Sequence, residues 1–190
     1  SLEIKKIAIL GVQEDRVSVG NSGTGKDLDA IRKELYQLYP GNWPINVADL
    51  GNIQQGNTIE DTYFALNELL SYLLKRGVIP VILGGGQDLT YSNYRAYDLL
   101  EQTVNIVAVD SKFDLGSIED ELTSQSYLSK IVMNQPANLF NFCNIGYQTY
   151  FNSQEEIELL ESLFFETHRL GEVSNSIQLV EPVLRDADIV

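Results

Sequence analysis

Hydrophobic and polar positions form two kinds of segment that alternate along the chain. Short continuous apolar runs, such as VIPVILGG and VNIVAVD, are typical of strands buried on both faces of a sheet. Longer segments with apolar residues every three or four positions predict helices, and the clearest has Thr58 as N-cap and Asp61 at the third helical position. The predicted strands cover residues 4–11, 45–51, 78–85, 104–110, 138–146, 176–180 and 184–190. The predicted helices cover residues 27–39, 58–77, 91–101, 125–134 and 153–171.

This alternation predicts the fold class. Buried strands separated by helices form a mostly parallel sheet covered by helices, so we expect one three-layer α/β/α domain over residues 1–190. Right-handed crossovers place the carboxyl ends of its strands along one edge, where open α/β sheets bind ligands. Two loops therefore matter most, namely GGGQD after Leu83 and DSKFD after Val109.

Composition narrows the classes of partner and compartment. The chain has 13 Lys and Arg against 27 Asp and Glu, a formal net charge of −14, which argues against nucleic-acid and membrane partners. The single cysteine, Cys143, excludes an internal disulfide framework and lies in an apolar run, so we expect it to be buried. No apolar run approaches the roughly 20 residues of a membrane span, and the start SLEIKK lacks a signal-like core, so we expect a cytoplasmic protein.

A glycine-rich segment raises the alternative of nucleotide binding. GNSGTGKD, residues 20–27, fits the phosphate-loop spacing G-x-x-x-x-G-K, and IVAVD could supply the aspartate that holds magnesium. A phosphate loop follows directly on its strand, however, whereas residues 12–20 intervene here. Asp27 also stands where the motif needs a hydroxyl, and its carboxylate would repel a triphosphate. We therefore interpret the segment as a loop leading into a helix that Asp27 caps.

The two edge loops carry the remaining chemistry. In DSKFD, Asp110 and Asp114 can supply two oxygen ligands to a divalent cation, but the ammonium of Lys112 has no lone pair and cannot bind a metal. It can instead stand in for a cation and pair with both carboxylates. In GGGQD, the glycines let the backbone approach closely, and Gln87 offers an amide oxygen, a poorer ligand for manganese or zinc than imidazole. Taken singly, each loop also fits an ordinary strand-ending turn.

The order of these segments resembles the ureohydrolase family of arginases, agmatinases and, most closely, formimidoylglutamases. VIPVILGGGQDLTYSNYRAY is similar to that family's first metal loop, VNIVAVDSKFDLG to its second, and EPVLRDADIV to the approach to its third. The resemblance implies an arginase-like fold and, in the family, two manganese ions that activate a hydroxide to attack a guanidinium or formimino carbon. It also implies a small-molecule ligand, and it admits a homo-oligomer, since family members commonly form trimers or hexamers.

The departures from the family pattern are specific. Asp110 and Asp114 match two aspartate ligands, whereas Gln87 and Lys112 stand where the resemblance implies two histidine ligands. The sequence ends at Val190, before the expected Ser-Phe-Asp-x-Asp loop, so we expect an incomplete N-terminal portion of the fold.

Other candidate positions complete the expected site. The only histidine, His168, falls in the predicted helix 153–171, and we expect a surface or partly packed side chain there and not a metal ligand. The residues expected to line the pocket are Gly85, Gly86, Gln87, Asp88 and Ser126.

Three hypotheses follow. The first is an arginase-family protein whose binuclear manganese site is dismantled, with Lys112 bridging Asp110 and Asp114, no cofactor, and a small-molecule-binding, regulatory or assembly role. The second is an active hydrolase of linear amidines that holds a metal through the same two aspartates, with Asp114 as the catalytic candidate. The third is a nucleotide binder that uses the glycine-rich loop.

Overall fold

The structure, a computed structural model, describes residues 5–39, 41–117, 119 and 121–187. The chain divides into two compact units, the first formed by Ser1–Leu100 and Leu122–Ser124 and the second by Glu101–Glu121 and Gln125–Val190. Each unit contains a sheet of three parallel strands, which confirms the predicted α/β class. The single domain over residues 1–190 stays a prediction. In the described ranges no helix is both long enough and apolar enough to cross a membrane.

The first unit alternates strands and helices in the predicted order. Its described elements are β1 (Lys5–Val12), α1 (Leu28–Leu35), β2 (Ile45–Ile53), α2 (Ile59–Leu74), β3 (Val78–Leu83) and α3 (Leu89–Asp98). β1 lies between β2 and β3 and pairs in parallel with both. The predicted capping box of α2 is confirmed, because the Asp61 amide donates to the Thr58 hydroxyl at 3.2 Å and the Thr58 amide donates to the Asp61 carboxylate at 2.9 Å.

The core of the first unit lies on one face of β1. Side chains alternate between the two faces of a strand, and every second residue of β1 packs against α2 and α3. The buried residues of this cluster are Ala8, Leu10, Val12, Leu66, Leu70, Leu73, Leu89 and Ala96. Leu66 and Leu70 have no exposed surface, so truncating either to alanine would cost about 2–5 kcal/mol.

The second unit has the same alternation, with shorter elements towards its end. Its described elements are β4 (Val104–Val109), α4 (Tyr127–Val132), β5 (Leu139–Tyr147), α5 (Gln154–Ser162), β6 (Glu166–Arg169), α6 (Leu170–Asn175) and α7 (Val180–Ala187). Two short 3₁₀ turns cover Thr149–Phe151 and Ile177–Leu179. β5 lies between β4 and β6 and pairs in parallel with both. Ser153 caps α5 through a second capping box, as predicted.

The predicted helix 153–171 is wrong in its second half. α5 ends at Ser162, and Phe164 adopts a left-handed φ of 60°. The Phe164 and Phe165 amides then donate to the carbonyls of Glu161 and Leu160, both at 3.0 Å, the pattern that normally ends a helix with glycine. The chain turns into β6, so His168 lies on a strand and not on a helix.

The two strands predicted after residue 175 are also wrong. Residues 176–180 contain a 3₁₀ turn, and α7 covers residues 184–187 of the other prediction, while 188–190 lie outside the described residues. Val180 and Val183 are three positions apart, the spacing of one helix face, and both pack against the cluster around β5. Pro182 falls in the first turn of α7, where a missing backbone N–H costs nothing.

Candidate functional site

The glycine loop after β3 is fixed by close packing within the first unit. Gly84 and Gly85 have φ angles of 69° and 83°, which favour glycine. A Cβ atom on Gly85 would lie 2.3 Å from the Leu89 side chain and 2.8 Å from the Glu14 carbonyl. The Gly86 amide donates to that same carbonyl at 2.8 Å. The glycines are therefore required by contact with the loop after β1.

Gln87 and Asp88 differ strongly in environment although they are adjacent. Gln87 is exposed, and its carbonyl accepts a hydrogen bond from the Thr90 amide at 3.0 Å. Asp88 is fully buried and accepts a hydrogen bond from the Tyr63 hydroxyl at 2.7 Å, while its other carboxyl oxygen has no partner. Burial raises the pKa of Asp88. Asp88 therefore belongs to the interior of the first unit, and Gln87 to its surface.

The loop after β1 carries a buried charge pair that sequence reasoning missed. Glu14 is completely buried, and the Arg16 guanidinium donates to it at 2.9 Å and 2.5 Å. The Thr62 hydroxyl donates to the same carboxylate at 2.8 Å, and Gln55 at 3.3 Å. Burial alone would raise the pKa of Glu14, but the hydrogen bonds led by Arg16 outweigh it and lower the pKa to about 2. The spacing E-x-R could have suggested such a pair, but nothing local indicates its burial.

The glycine-rich loop of the nucleotide hypothesis already binds an internal anion. The amides of Gly23 and Gly25 donate to one carboxylate oxygen of Asp15 at 2.5 Å and 3.3 Å. Backbone amides of a phosphate loop would have to donate to phosphate oxygens instead. Lys26 is exposed and lines an open cleft of about 340 Å³. These contacts argue against a phosphate site at residues 20–26.

In the second unit, the loop DSKFD is held by polar side chains from more distant residues. Asp110 follows β4, and its carboxylate accepts the Lys112 amide at 3.0 Å. The Asn144 amide group donates to the Lys112 carbonyl at 3.1 Å. Asn152 accepts the Phe113 amide at 2.8 Å and donates to the Ser111 carbonyl at 2.9 Å. Sequence reasoning missed both asparagines, which fix the shape of this loop.

Asp114 lies at the end of this loop in an unusual conformation. Its φ is 52°, a left-handed value that aspartate and asparagine tolerate better than most residues, and its exposed fraction is 6%. Burial, followed by the negative charge of Asp110, raises the pKa of Asp114 to about 7, and the positive charge of Lys112 offsets this only in part. The expected lysine bridge stays a prediction, and the described contact between Lys112 and Asp110 is made by the Lys112 amide.

Ser126 is buried beside the same loop. The Ser126 hydroxyl donates to the Glu121 carbonyl at 2.9 Å. A Cβ atom added to Gly116 would lie 2.6 Å from the Cβ atom of Ser126. An open cleft of about 370 Å³ adjoins this segment and is lined by Leu115, Gly116, Ser129, Ser153, Glu155, Glu156 and Leu159. This cleft is large enough for a small molecule.

The structure brings some of the sequence-predicted site residues together. Asp110, Lys112 and Asp114 share one loop of the second unit, and Ser126 also lies in that unit. Gly85, Gly86, Gln87 and Asp88 share one loop of the first unit. A common site formed by both loops stays a prediction.

Comparison with known proteins identifies the family of this chain. The Arginase family matches residues 5–187. Formimidoylglutamase of Macrococcus caseolyticus is 27% identical over 161 residues, which cover 82% of this chain and 50% of the relative. Formimidoylglutamase of Hahella chejuensis is 27% identical over 168 residues, which cover 83% of this chain and 52% of the relative. The chain thus spans about half the length of the curated relatives it matches.

Solved structures share the fold. Formimidoylglutamase from Bacillus subtilis gives a TM-score of 0.82 at 20% identity and covers 98% of this chain and 62% of its own. Trypanosoma cruzi formiminoglutamase with Mn²⁺ gives a TM-score of 0.82 at 21% identity and covers 98% of this chain and 67% of its own. At such identities these likenesses establish the arginase-like fold alone. Together with the family match and the sequence relatives, they lead to one conclusion: this chain belongs to the arginase family and is formimidoylglutamase-like.

Proposed function

We propose that this chain is an arginase-family protein whose binuclear manganese site is dismantled, and that it binds a small molecule or has a regulatory role in place of the usual hydrolysis. The observation that carries the proposal is Lys112. It stands where the family resemblance implies a histidine ligand, between two aspartates that match ligands. An ammonium group has three donors and no lone pair, so it cannot coordinate a metal at neutral pH.

The donors that the second unit offers do not fit two manganese ions. Asp110 and Asp114 supply carboxylates, but one oxygen of Asp110 already accepts the Lys112 amide. In the described ranges, the one group of three His, Cys, Asp or Glu side chains with ligand atoms within 4.8 Å of one another includes neither aspartate. Manganese prefers several oxygen or imidazole ligands that converge from different segments, so two carboxylates are a poor set.

The glycine loop of the first unit supports the same proposal. Its left-handed glycines and its amide bonds are explained by contact with the loop after β1, without any bound ion. Gln87 presents an amide where the resemblance implies imidazole. The backbone of this loop is therefore held by protein contacts, while Gln87 stands at the position where the resemblance implies a metal-binding side chain.

The cleft beside Asp114 supports a binding role. Its lining includes Leu115, the residue after Asp114, whose pKa is raised to about 7, and Glu155 and Glu156 contribute acidic groups. A perturbed buried acid next to a cleft is typical of functional sites. We therefore expect a small ligand that carries a positive charge or several hydrogen-bond donors.

The alternative is an active metal-dependent hydrolase of a formimino or guanidino compound. It is favoured by the two retained aspartates and by the rigid support that Asn144 and Asn152 give their loop. In this case Asp110 and Asp114 would hold a metal together with donors from elsewhere. The metal would supply an activated water as nucleophile.

Metal analysis separates the two functions. The chain, and any longer product that contains it, should be purified in the presence of manganese and its bound metal counted. We expect far less than one manganese per chain and no hydrolysis of formimino or guanidino substrates. One tightly bound manganese per chain, together with hydrolysis, would overturn the proposal.

A double variant tests whether the family geometry remains under the changed side chains. Gln87→His with Lys112→His should strengthen manganese binding by at least about tenfold, because two imidazoles replace an amide and a cation. The matched control is Lys75→His, which adds a histidine at an exposed helix end and should change nothing. Equal manganese affinity in the double variant and the control would count against an inherited site.

A further inference from the structure

A cluster of three potential metal ligands lies on the sheet of the second unit, on β5 and β6. In the register of these parallel strands, Cys143 is opposite Glu166 and Ile145 is opposite His168. Because side chains alternate along a strand, Cys143, Glu166 and His168 share one face. Their ligand atoms all lie within 4.8 Å of one another, and His168 Nε2 is 3.7 Å from a carboxylate oxygen of Glu166.

Two polar atoms in this region are buried without hydrogen-bond partners. They are Nε2 of His168 and Oδ1 of Asn105, the latter from β4. A buried polar atom that lacks a hydrogen-bond partner destabilises the folded state, so native proteins seldom contain one. The unpartnered imidazole nitrogen belongs to the same cluster as a thiol and a carboxylate. This combination indicates a ligand that accepts electron pairs from all three groups.

A small cavity lies next to the cluster and gives it room for an ion. Its volume is about 10 Å³, close to what one water molecule needs. Its lining includes Cys143, Glu166 and Asn105 from the strands, and Val183 and Asp186 from α7. Asp186 is largely exposed, so its carboxylate can reach the cavity from the solvent side.

We propose that Cys143, Glu166 and His168 form a zinc site, with water or Asp186 as the fourth ligand. Thiolate, imidazole and carboxylate are the three side-chain ligands that zinc takes in proteins. With bonds of about 2.0–2.3 Å, the ligand atoms of a tetrahedral site lie about 3.4 Å apart, so the cluster needs only small rotamer adjustments. Manganese, which favours oxygen ligands, fits this set poorly. The site is separate from the DSKFD loop, and its existence does not depend on the function proposed above.

Binding requires a proton to leave the thiol. Burial, followed by the charge of Glu166, raises the pKa of Cys143 to about 12, so the free side chain is a neutral thiol at pH 7. When zinc binds, the S–H bond breaks and the electron pair left on the sulfur forms the Zn–S bond. The proton passes to the buffer. The titratable groups that face the thiol are Glu166 and His168 on β6 and Asp186 on α7, with Arg185 3.8 Å from Asp186.

A bound zinc ion would cross-link two neighbouring strands, β5 and β6. Zinc would join β5 to β6, two strands whose register is irregular between Ile145 and Tyr147. β6 has only four residues. α7 packs through Val183 against the hydrophobic cluster that contains Cys143. A metal that binds only the folded state stabilises it by mass action, so zinc should raise the melting temperature of this unit.

The test uses the metal-free chain and two metals as probes. Zinc titration at pH 8 should saturate at one ion per chain, and cobalt should give the sulfur-to-metal charge-transfer absorption that reports a thiolate ligand. Cys143→Ser and His168→Gln should each weaken zinc binding by at least about tenfold, and Cys143→Ser should also abolish the charge-transfer band. Glu158→Gln, an exposed glutamate on α5, is the matched control and should bind as the unchanged chain does.

Specific results would overturn the zinc site. The absence of saturable zinc binding in the unchanged chain at pH 8 would do so, as would a cobalt complex without the charge-transfer band. Equal zinc affinity in His168→Gln and Glu158→Gln would also contradict it. Should Cys143→Ser fail to fold, the cobalt spectrum of the unchanged chain decides the question alone. Asp110→Asn should leave zinc binding unchanged, which keeps this result distinct from the manganese experiment.

Discussion

Two buried acids, one in each unit, have opposite pKa shifts. Glu14 follows β1 in the first unit and Asp114 follows β4 in the second, and both are nearly or completely buried. Burial opposes ionisation at Glu14, yet bonds from Arg16 and Thr62 lower its pKa to about 2. Burial and the neighbouring Asp110 raise the pKa of Asp114 to about 7.

The difference shows that directed donors, more than depth of burial, decide the charge of a buried acid. Two guanidinium nitrogens of Arg16 donate to Glu14, whereas Lys112 lowers the pKa of Asp114 through its charge. The paired acid is a structural part of the loop after β1. The acid without such a pair lies in the loop that the sequence identified as the site, and a buried acid that titrates near neutral pH is typical of functional positions.

Removing the partner of Glu14 should have the largest effect. Arg16→Met leaves a buried carboxylate without its charged donor and also loses the bonds that Arg16 makes to the Asn57 and Thr58 carbonyls. Breaking a buried pair costs about 3–5 kcal/mol, and since the Arg16 side chain is 33% exposed we expect about 2–3 kcal/mol. Urea unfolding at pH 7 measures this loss.

The pH dependence of that loss identifies its cause. A depressed folded-state pKa stabilises the protein above the unfolded value of about 4.5, and this stability is lost as pH falls towards 2. The difference between the unchanged chain and Arg16→Met should therefore narrow at pH 3. Arg76→Met, at an exposed arginine over the Tyr72 ring, is the matched control and should cost less than about 1 kcal/mol. A loss of equal size at pH 7 and pH 3 would contradict the charge-pair explanation.

Neutralising Asp114 should stabilise the protein, whereas Arg16→Met should destabilise it. A folded-state pKa raised from 3.8 to about 7 costs nothing below pH 4, and this cost grows as pH rises to 7 and then stays constant. Asp114→Asn cannot ionise and tolerates the left-handed backbone, so it should be more stable than the unchanged chain by about 1–3 kcal/mol at pH 8. Thermal or urea unfolding between pH 4 and pH 8 gives the curve.

The pH dependence of the stability difference is a stricter test than its size at pH 8. Asparagine also favours a left-handed φ, which would add the same stability at every pH. A gain at pH 8 that persists unchanged at pH 4 would therefore refute the raised pKa of Asp114. Asp186→Asn, at an exposed carboxylate on α7, should give a flat and nearly zero difference.

The sequence predicted the first unit better than the second because its signals are local. The helix after Thr58 shows its capping box and a following glycine within a short segment, so both type and position could be predicted. The helix after Ser153 begins with the same kind of box, but it ends at Phe164 in a left-handed conformation that normally calls for glycine. No local sequence pattern indicates where this helix ends, so the sequence predicts a helix through His168, which lies on a strand.

Site residues that are close in sequence could also be predicted, whereas those that are far apart could not. Asp110, Lys112 and Asp114 could be grouped from sequence because they lie within five consecutive residues. The contacts of Asn144 and Asn152 with this loop bridge 32 to 41 residues, and polar contacts over such separations leave no pattern in the sequence. The nearness of Cys143 to His168 depends on the register of two strands, which periodicity does not fix.

The smallest expected effect is that of removing the Thr62 hydroxyl, a neutral donor to Glu14. Thr62 on α2 donates to Glu14 at 2.8 Å and accepts the Gly56 amide at 2.9 Å. Thr62→Val keeps the shape of the side chain but removes these two bonds and the 3.4 Å bond that Arg16 donates to Thr62. It should therefore cost about 1–2 kcal/mol and raise the pKa of Glu14 less than Arg16→Met does. Ser71→Ala on the same helix is the matched control, because the buried Ser71 hydroxyl has no hydrogen-bond partner and its loss should be neutral. If urea unfolding gave the same stability for Thr62→Val and Ser71→Ala, neutral donors would contribute nothing to Glu14, and the guanidinium alone would explain why this acid remains charged.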